Sequence, residues 1–230
     1  MYYNVGMSGA KTIKFLIVDA QPLFIRGLAA LIESKPEYKI IGEASGLTDA
    51  VTIARKENPN IVIMDIDLGN ESGLDLIPRL KSQNPNTAIL VLSTYDERYY
   101  SERVLRLGAQ GYIMKTEAAV KVLDAVKTIT SGKIYMSDTE RDRIFKTMTG
   151  ESQRGGKDWT VSIRKLTDRE LEIFSCIGKG LGTIEIANKF NLSTKTIDTH
   201  KEHLKIKLQC NSSQELRRLA IEWTNHPGNP

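Results

Sequence analysis

Short apolar runs alternate with amphipathic segments through the first part of the chain. The run at Ile61–Met64 is apolar at every position, which is typical of a strand buried on both faces of a parallel sheet, and the other runs are strand-like. The runs lie at Ile13–Val18, Tyr38–Ala44, Ile61–Met64, 88–92 and 112–114. The segments that follow them have the pattern of surface helices, at 22–32, 48–56, 74–82, Glu97–Leu107 and Ala118–Thr130. These β-then-α repeats predict an α/β fold, a doubly wound five-stranded parallel sheet with helices on both faces.

Beyond Leu166 the pattern becomes helical only. Thr167 and Glu170 have the spacing of a capping box, and Leu166 is placed for a hydrophobic staple. Further helices are predicted at 184–190, at 193–208 and, behind a second capping box of Ser212 and Glu215, up to Trp223. A short helix, a tight turn and a longer helix are typical of a helix-turn-helix unit. The sequence therefore predicts a small all-α four-helix domain after the α/β domain.

Composition separates the two parts. Asp138–Met148 is a charged stretch that is compatible with a linker helix, and 150–156 has the Gly-rich composition of a flexible linker. We therefore expect a disordered N-terminus at 1–12, an α/β domain at 13–134, a partly helical linker at 135–160 and a helical domain at 161–226.

Polar side chains follow four of the predicted strands, at the point where each strand ends. They are Asp19, Asp65, Ser93 and Lys115. In a right-handed doubly wound sheet these ends converge on one rim, where α/β proteins place their ligand sites. A carboxylate can attack phosphorus and form an acyl phosphate, neighbouring acids can hold a divalent cation, and a lysine and a hydroxyl can bind phosphoryl oxygens. The rim therefore indicates phosphoryl chemistry.

Residues 13–132 resemble a response-regulator receiver domain. The resemblance rests on Leu16-Ile17-Val18-Asp19, on Asp65 with Gly73 eight residues on, on Leu92-Ser93 and on Gly111-Tyr112-Ile113-Met114-Lys115. It implies a flavodoxin-like sheet of order 2-1-3-4-5 and phosphorylation of Asp65 by a phosphohistidine of a sensor histidine kinase. By the same resemblance Ser93 and Lys115 bind the phosphoryl group, and Tyr112 is the aromatic switch that turns inward.

Two departures from the receiver pattern concern the metal. The family usually carries two adjacent acids after the first strand, but here the pair is Asp19-Ala20. Where the family usually has Met-Pro after the phosphoacceptor, this chain has Leu68-Gly69. We expect Mg²⁺ to bind weakly through Asp19 and Asp65, with Asp67 as a third acid that compensates for the missing one. The competing interpretation is a receiver that works without phosphorylation.

An enzymatic interpretation is also open. Asp65-Ile66-Asp67 after an apolar strand resembles the nucleophile motif of haloacid-dehalogenase-type phosphatases. That family places the motif near its N-terminus and needs an acidic pair on a later strand. Here two β-α units precede Asp65 and no acidic pair follows Lys115. We therefore do not expect an enzyme, beyond catalysis by the receiver of its own phosphoryl transfer.

Residues 163–223 resemble the NarL/LuxR-type helix-turn-helix domain. Matching features are Leu166-Thr167 with Arg169-Glu170, Gly180-Leu181 with Glu185-Ile186-Ala187, and the segment 193–208. The resemblance implies a third helix that enters the DNA major groove, and a dimer contact on the last helix through Leu216, Leu219 and Ala220. The alternative for that last apolar stripe is the core of the domain itself.

Helical periodicity selects the DNA-facing side chains of the third helix. Ile197, Leu204 and Leu208 share the inner face, which leaves the opposite face for base edges and the flanks for phosphates. The predicted DNA-binding residues are Lys195, Thr196, Thr199, Lys201, Glu202, Lys205 and Lys207. Asp198 and Glu202 bring negative charge near the DNA, and Ile206 on the outer face has no explanation from the sequence.

Charge and cysteine content agree with a cytosolic DNA-binding protein. Residues 13–137 carry 15 basic and 15 acidic side chains, whereas 150–230 carry 13 basic and 10 acidic, which permits nucleic-acid binding. Cys176 and Cys210 are expected to be free thiols, as in a reducing compartment. No apolar run approaches the ~18 residues of a membrane span. His200 and His203 have helical spacing for a metal pair, but no third ligand is evident.

These patterns together predict a cytoplasmic two-component transcriptional regulator. Its partners are double-stranded DNA, a sensor histidine kinase and a second copy of the chain on DNA, without a membrane. Two alternatives stay open: a phosphorylation-independent regulator of the same family, and a protein–protein switch that does not bind DNA.

Overall fold

The computed structural model describes residues 12–148 and 162–225. Its strands are β1 (Ile13–Val18), β2 (Tyr38–Ala44), β3 (Ile61–Met64), β4 (Asp67–Leu68), β5 (Glu71–Ser72), β6 (Ala88–Ser93) and β7 (Gly111–Met114). Five of them form a parallel sheet in the order β2-β1-β3-β6-β7, which confirms the predicted doubly wound fold. The carboxyl ends of β1, β3, β6 and β7 therefore lie along one rim.

Six α-helices and one short 3-10 helix (Lys115–Glu117) lie within residues 12–148. The α-helices are α1 (Pro22–Glu33), α2 (Leu47–Glu57), α3 (Gly73–Gln83), α4 (Glu97–Leu107), α5 (Ala118–Thr130) and α6 (Asp138–Met148). Alternate residues of each strand feed two cores, because successive side chains of a strand point to opposite faces. Phe15 and Ile17 pack with α1 and α5, whereas Leu16 and Val18 pack with α2, α3 and α4.

A short hairpin interrupts the connection from β3 to α3, where the sequence predicted only a loop. Strands β4 and β5 pair antiparallel, Asp67 opposite Ser72 and Leu68 opposite Glu71. Gly69 begins the turn with φ +72°, a left-handed conformation that favours glycine. Two paired residues on each side are too few to give a strand signal in the sequence. The hairpin fixes the position of the residues directly after Asp65.

Four helices build the C-terminal unit after Thr167. They are α7 (Asp168–Gly178), α8 (Thr183–Phe190), α9 (Thr194–Leu208) and α10 (Ser213–Thr224). The capping box of Thr167 and Glu170 forms as predicted. The second box is incomplete: the Ser212 hydroxyl accepts from Glu215 N, but the Glu215 carboxylate accepts from Asn211 N (2.8 Å).

Two predicted regions fall largely on residues that the structure does not describe. Residues 1–11 of the N-terminus and residues 149–161, which contain the Gly-rich segment 150–156, lie outside the described residues. The charged stretch Asp138–Met148 is the helix α6. It packs on α4, where Ser101 Oγ donates to the Glu140 carboxylate at 2.6 Å.

Helix α4 also joins the two units. The ring of Tyr99 meets Trp223 of α10 edge-on with centroids 5.5 Å apart. Arg103 Nη1 forms an ion pair with Asp168 Oδ1 at 2.7 Å, and its guanidinium is nearly buried. The apolar core is continuous across this interface. The C-terminal unit is thus docked on the α/β unit, an arrangement that the sequence did not predict.

A buried carboxylate lies in this interface. Glu172 of α7 is 8% exposed and is hydrogen-bonded to Ser72 of the α/β unit. Arg169 Nη1 lies 3.0 Å from its carboxylate, and the charges of Asp75 and Asp168 are also close. Burial raises the pKa of Glu172 to about 7, since the hydrogen bond and Arg169 offset only part of the desolvation. Docking therefore favours a protonated Glu172.

We predict that Glu172 makes the stability of the docked protein depend on pH. Because its pKa is raised in the folded state, its contribution is fully present below the ordinary value of 4.5 and is lost as pH rises through about 7. The loss can reach on the order of 3 kcal/mol. Denaturant unfolding at pH 5 and pH 8 should show this loss in the wild type and a smaller one in Glu172→Gln. Equal losses in both proteins would contradict the assignment.

Candidate functional site

The rim of the sheet brings together the polar side chains that end four strands. Asp19 follows β1, Asp65 follows β3, Ser93 ends β6 and Lys115 follows β7. Lys115 Nζ lies 2.6 Å from Asp19 Oδ2 and 2.7 Å from Asp65 Oδ2. All three charged side chains are nearly buried, so one ammonium group is shared between two buried carboxylates. The structure thus brings Asp19, Asp65 and Lys115 into contact, while Ser93 ends the neighbouring strand β6.

Backbone groups fix the orientation of Asp65. Its Oδ1 accepts from Ile66 N (2.6 Å) and from Asp67 N (3.2 Å), which leaves Oδ2 facing Lys115. Gly73 passes so close to this turn that a Cβ on it would lie 2.2 Å from the Asp65 carbonyl oxygen. Glycine is therefore required at this position to keep the turn around Asp65.

Burial and charge act in opposite directions on Asp65. Burial raises the pKa of its carboxyl group, and the adjacent ammonium of Lys115 offsets only part of that effect. Ionised Asp65 thus depends on a neighbouring cation. Phe24 of α1 covers the ammonium, with Lys115 Nζ 4.3 Å from the centre of the ring.

The predicted switch residue Tyr112 points inward. Its side chain is 1% exposed, and its hydroxyl donates to the carbonyl oxygen of Tyr95 at 2.5 Å. Burial raises the pKa of Tyr112 well above the ordinary value, and a hydrogen bond with Ser93 offsets part of this. Tyr95 N in turn donates to Ser93 Oγ at 3.3 Å. Ser93, Tyr95 and Tyr112 therefore form one connected group.

Asp67 faces the C-terminal unit. Its Oδ1 lies 2.9 Å from Lys189 Nζ of α8, and Lys189 also donates to the carbonyl oxygen of Gly69. Its Oδ2 accepts from the Tyr95 hydroxyl at 3.1 Å and lies 4.0 Å from Lys179 Nζ. Burial alone would raise the pKa of Asp67, but these two lysines and the Tyr95 hydroxyl lower it. The Asp67 carboxylate, which was expected to help bind Mg²⁺, is thus paired with lysines.

The rim offers two carboxylates to a divalent cation in this conformation. Within residues 12–148 and 162–225, no three Asp, Glu, His or Cys side chains are grouped as a metal would require. Asp19 and Asp65 do meet, and hard cations such as Mg²⁺ bind one or two carboxylates and complete their coordination with water and carbonyl oxygens. The residues present therefore fit Mg²⁺ as a site with few protein ligands.

Some residues of the site were not predicted from the sequence. Tyr95 connects the switch to Asp67, and Lys179 and Lys189 bring charge from the other unit. No local spacing links them, because Lys189 and Asp67 are 122 residues apart in the chain. The only signal in the sequence was Asp67 itself, an acid at a position where the family pattern gives the side chain no role.

The predicted DNA-facing side of α9 is open to solvent. Lys195, Thr199 and Glu202 are exposed, as is the unexplained Ile206 (73%), while Thr196 is half-buried. The flanking lysines have partners in their own unit. Lys201 donates to Thr183 Oγ1 (2.5 Å), Lys205 pairs with Glu202 (2.9 Å) and Lys207 pairs with Glu170 (2.6 Å).

The side chains expected at a dimer contact divide into two groups. Leu216 (2% exposed) and Ala220 (fully buried) pack inside the C-terminal unit. Leu219 is half-buried and faces outward in part. Cys176 and Cys210 are both free thiols, as predicted. No helix in the described residues is long and apolar enough to cross a membrane.

Comparison with known protein families identifies both units. Residues 15–127 match the model of the response regulator receiver domain, and residues 164–220 match that of bacterial regulatory proteins of the luxR family. The chain is 30% identical over 211 residues to the oxygen regulatory protein NreC of Staphylococcus carnosus, covering 91% of this chain and 97% of that protein. It is also 30% identical to the transcriptional regulatory protein MctR of Rhizobium johnstonii, covering 94% of this chain and 96% of MctR.

Solved structures share the fold. A structure of the RcsB response regulator of Salmonella typhimurium superposes with a TM-score of 0.71 at 21% identity and covers 92% of this chain and 98% of that one. A structure of RcsB from Salmonella enterica serovar Typhimurium, bound to promoter rprA, gives a TM-score of 0.67 at 22% identity, covering 91% and 98%.

The relatives match nearly the whole chain, and the family models match its two units in the same order. A regulator of this kind is not a typical enzyme, and receiver domains generally use Mg²⁺. The chain therefore belongs to the two-component response regulators of the NarL/LuxR type, and it is a DNA-binding transcription regulator with an N-terminal receiver domain and a C-terminal helix-turn-helix domain.

Proposed function

We propose that phosphorylation of Asp65 by a sensor histidine kinase controls DNA binding by the helix-turn-helix domain. The observation that carries this proposal is the buried rim in which Lys115 is shared between Asp19 and Asp65. An isolated strand end would not gather two acids, an ammonium and a hydroxyl. In this assignment 13–134 is the receiver, 135–160 the linker and 161–226 the DNA-binding domain.

The transfer itself needs few groups. An Asp65 carboxylate oxygen attacks the phosphorus of a phosphohistidine; the new O–P bond forms, the P–N bond breaks, and the leaving imidazole keeps the electron pair of that bond and takes a proton from water. Backbone N–H groups of Ile66 and Asp67 orient the attacking carboxylate. Lys115 then pairs with a phosphoryl oxygen, and Ser93 donates to another. Mg²⁺, when bound, spreads the negative charge of the transferring group.

Weak Mg²⁺ binding is part of the proposal. Ala20 is exposed beside Asp19 and offers no ligand where the family usually has an acid. Asp19 and Asp65 remain, and Asp67, two residues after Asp65, is a further acid close to the phosphoacceptor. We therefore expect phosphorylation to be slower than in a receiver with the complete acidic pair.

A second candidate is a regulator of the same family that acts without phosphorylation. One observation favours it: Ala20 stands where the family usually has an acid, so a metal ligand is missing. In such a protein Lys115 would satisfy both carboxylates permanently. The remaining alternative from the sequence, a protein–protein switch that does not bind DNA, rests only on Asp198 and Glu202 of α9 and disagrees with the luxR-family match of residues 164–220.

DNA binding in the proposal uses α9 in the major groove of double-stranded DNA. Exposed Lys195, Thr199 and Glu202 are placed for base edges, and Thr196 lies at the helix start. Lys201, Lys205 and Lys207 would leave their present partners to pair with phosphates. A homodimer on DNA would use the outward part of Leu219, with Leu216 and Ala220 supporting it from the core. Since a regulator must reach the genome, we place it in the cytoplasm.

The phosphorylation proposal is tested by intact mass after incubation with a small-molecule phosphodonor and Mg²⁺. We predict a gain of about 80 Da, one phosphoryl group, in the wild type and none in Asp65→Asn, because the amide cannot form the acyl phosphate. Ala20→Asp should react faster. No gain in folded wild type or Ala20→Asp would contradict the proposal and favour the phosphorylation-independent candidate.

DNA binding is tested with duplexes selected from a random pool by the full-length protein. We predict that Lys195→Ala loses roughly 1–3 kcal/mol of binding free energy for the selected duplex, as expected when a base contact is removed. Lys165→Ala, which removes an exposed lysine outside α9, should keep the wild-type affinity. Gel shifts measure both. If no duplex binds at ~50 mM salt, where non-specific attraction is strong, the DNA-binding proposal is wrong.

A further inference from the structure

Asp67 contacts both the phosphorylation site and the DNA-binding domain. Its backbone N–H donates to Asp65 Oδ1, so it belongs to the turn that holds the phosphoacceptor. Its carboxylate, however, is paired with Lys189 of the DNA-binding domain. One residue therefore connects the phosphorylation site directly to the docking interface.

The rim is short of negative charge for a cation. Asp19 and Asp65 share the charge of Lys115, and Ala20 contributes nothing. Asp67 is the further acid at this edge, but Lys189 and Lys179 neutralise it while the domains are docked. Docking thus neutralises a charge that could compensate for Ala20.

The pairing of Asp67 can be exchanged. Its side chain is 30% exposed and that of Lys189 is 19% exposed, so the ion pair lies at the edge of the interface and water reaches it. Partly exposed ion pairs contribute little and are screened by salt. A divalent cation, with twice the charge of an ammonium group, can compete for the same carboxylate.

We propose that Asp67 is shared between Lys189 and the divalent cation of the phosphorylation site, so that cation binding and domain docking oppose each other. Lys189 is then a positioning residue: it holds the Asp67 carboxylate away from the cation. The inference rests on the proposed function in that it concerns the cation of the same site. Lys189, a residue of the DNA-binding domain, thereby affects cation binding at the phosphorylation site.

Thermodynamic linkage makes the effect reciprocal. If docking weakens cation binding by some factor, cation binding must weaken docking by the same factor. Undocking would also free Lys189 on α8. The cation would therefore shift the protein towards an open population before any phosphoryl group is transferred.

The test is cation binding by the full-length protein without any phosphodonor. Free Mn²⁺ is measured by electron paramagnetic resonance, and Mg²⁺ is then added to displace it. We expect Lys189→Met to bind Mn²⁺ roughly three- to tenfold more tightly than the wild type, because Asp67 is freed. Lys189→Arg should restore wild-type affinity. Lys165→Met, which removes an exposed lysine of the same domain, should leave it unchanged.

A double-mutant comparison isolates Asp67. Asp67→Asn should weaken Mn²⁺ binding, and adding Lys189→Met to it should change the affinity less than about twofold, since the shared carboxylate is absent. Small-angle scattering should show saturating Mg²⁺ expanding the wild type. Equal affinities of wild type and Lys189→Met, or an equal gain from Lys189→Met in the Asp67→Asn background, would overturn the inference. These titrations do not depend on acyl-phosphate formation, so failure of the proposed function would leave them intact.

Discussion

Burying two carboxylates at one rim of a sheet requires a cation, and in this protein Lys115 supplies it. Asp19 and Asp65 directly follow the neighbouring strands β1 and β3. The parallel sheet therefore brings their charges together independently of the loop conformations. The cost of desolvating an unpaired carboxylate is large, and it is met here by one buried ammonium group. Any chemistry at Asp65 must therefore redistribute the contacts of Lys115. A phosphoryl group can change these contacts, because its oxygens can replace a carboxylate oxygen as the partner of the Lys115 ammonium.

The contacts that surround this rim lead outward to the DNA-binding domain. Tyr95 accepts from the hydroxyl of Tyr112 through its carbonyl oxygen and donates its own hydroxyl to Asp67. Lys179 places its ammonium 4.8 Å from the centre of the Tyr95 ring. A movement at Ser93 or Tyr112 would therefore reach a side chain that the docked domain touches. Coupling of this kind needs no long pathway, since the two sites share neighbouring residues.

Helix α4 provides buried contacts to the DNA-binding domain and to α6. Its residues Tyr99 and Arg103 are buried against the DNA-binding domain, and Ser101 is buried against α6. Helix α6 and the DNA-binding domain both follow the receiver in the chain. Helix α4 therefore connects the linker and the DNA-binding domain to the α/β unit. The side of α9 that is predicted to face DNA stays exposed in this arrangement. Docking consequently restrains the position of the domain while this side of α9 remains open to solvent.

The sequence predicted those parts of the structure that local patterns determine. Ile61–Met64 is apolar at every position because β3 is buried on both faces, and Glu97–Leu107 and Ala118–Thr130 have helical periodicity bounded by clear ends. The rim residues followed from strand ends and family resemblance. The β4–β5 hairpin was missed because two paired residues give no periodicity. The pairing of Asp67 with Lys189 was missed because it depends on how two separately folded units meet, which no local pattern contains.

The most direct test of the account is the distance between the two domains with and without a phosphodonor. Spin labels at Arg55→Cys on α2 and Arg217→Cys on α10, both exposed positions, would be placed in a chain whose own cysteines are replaced. Pulsed dipolar spectroscopy should give one docked distance without donor, and a longer, broader distribution with donor and Mg²⁺. If intact mass shows phosphorylated Asp65 while the distance distribution stays unchanged, the claim that this rim controls docking is wrong.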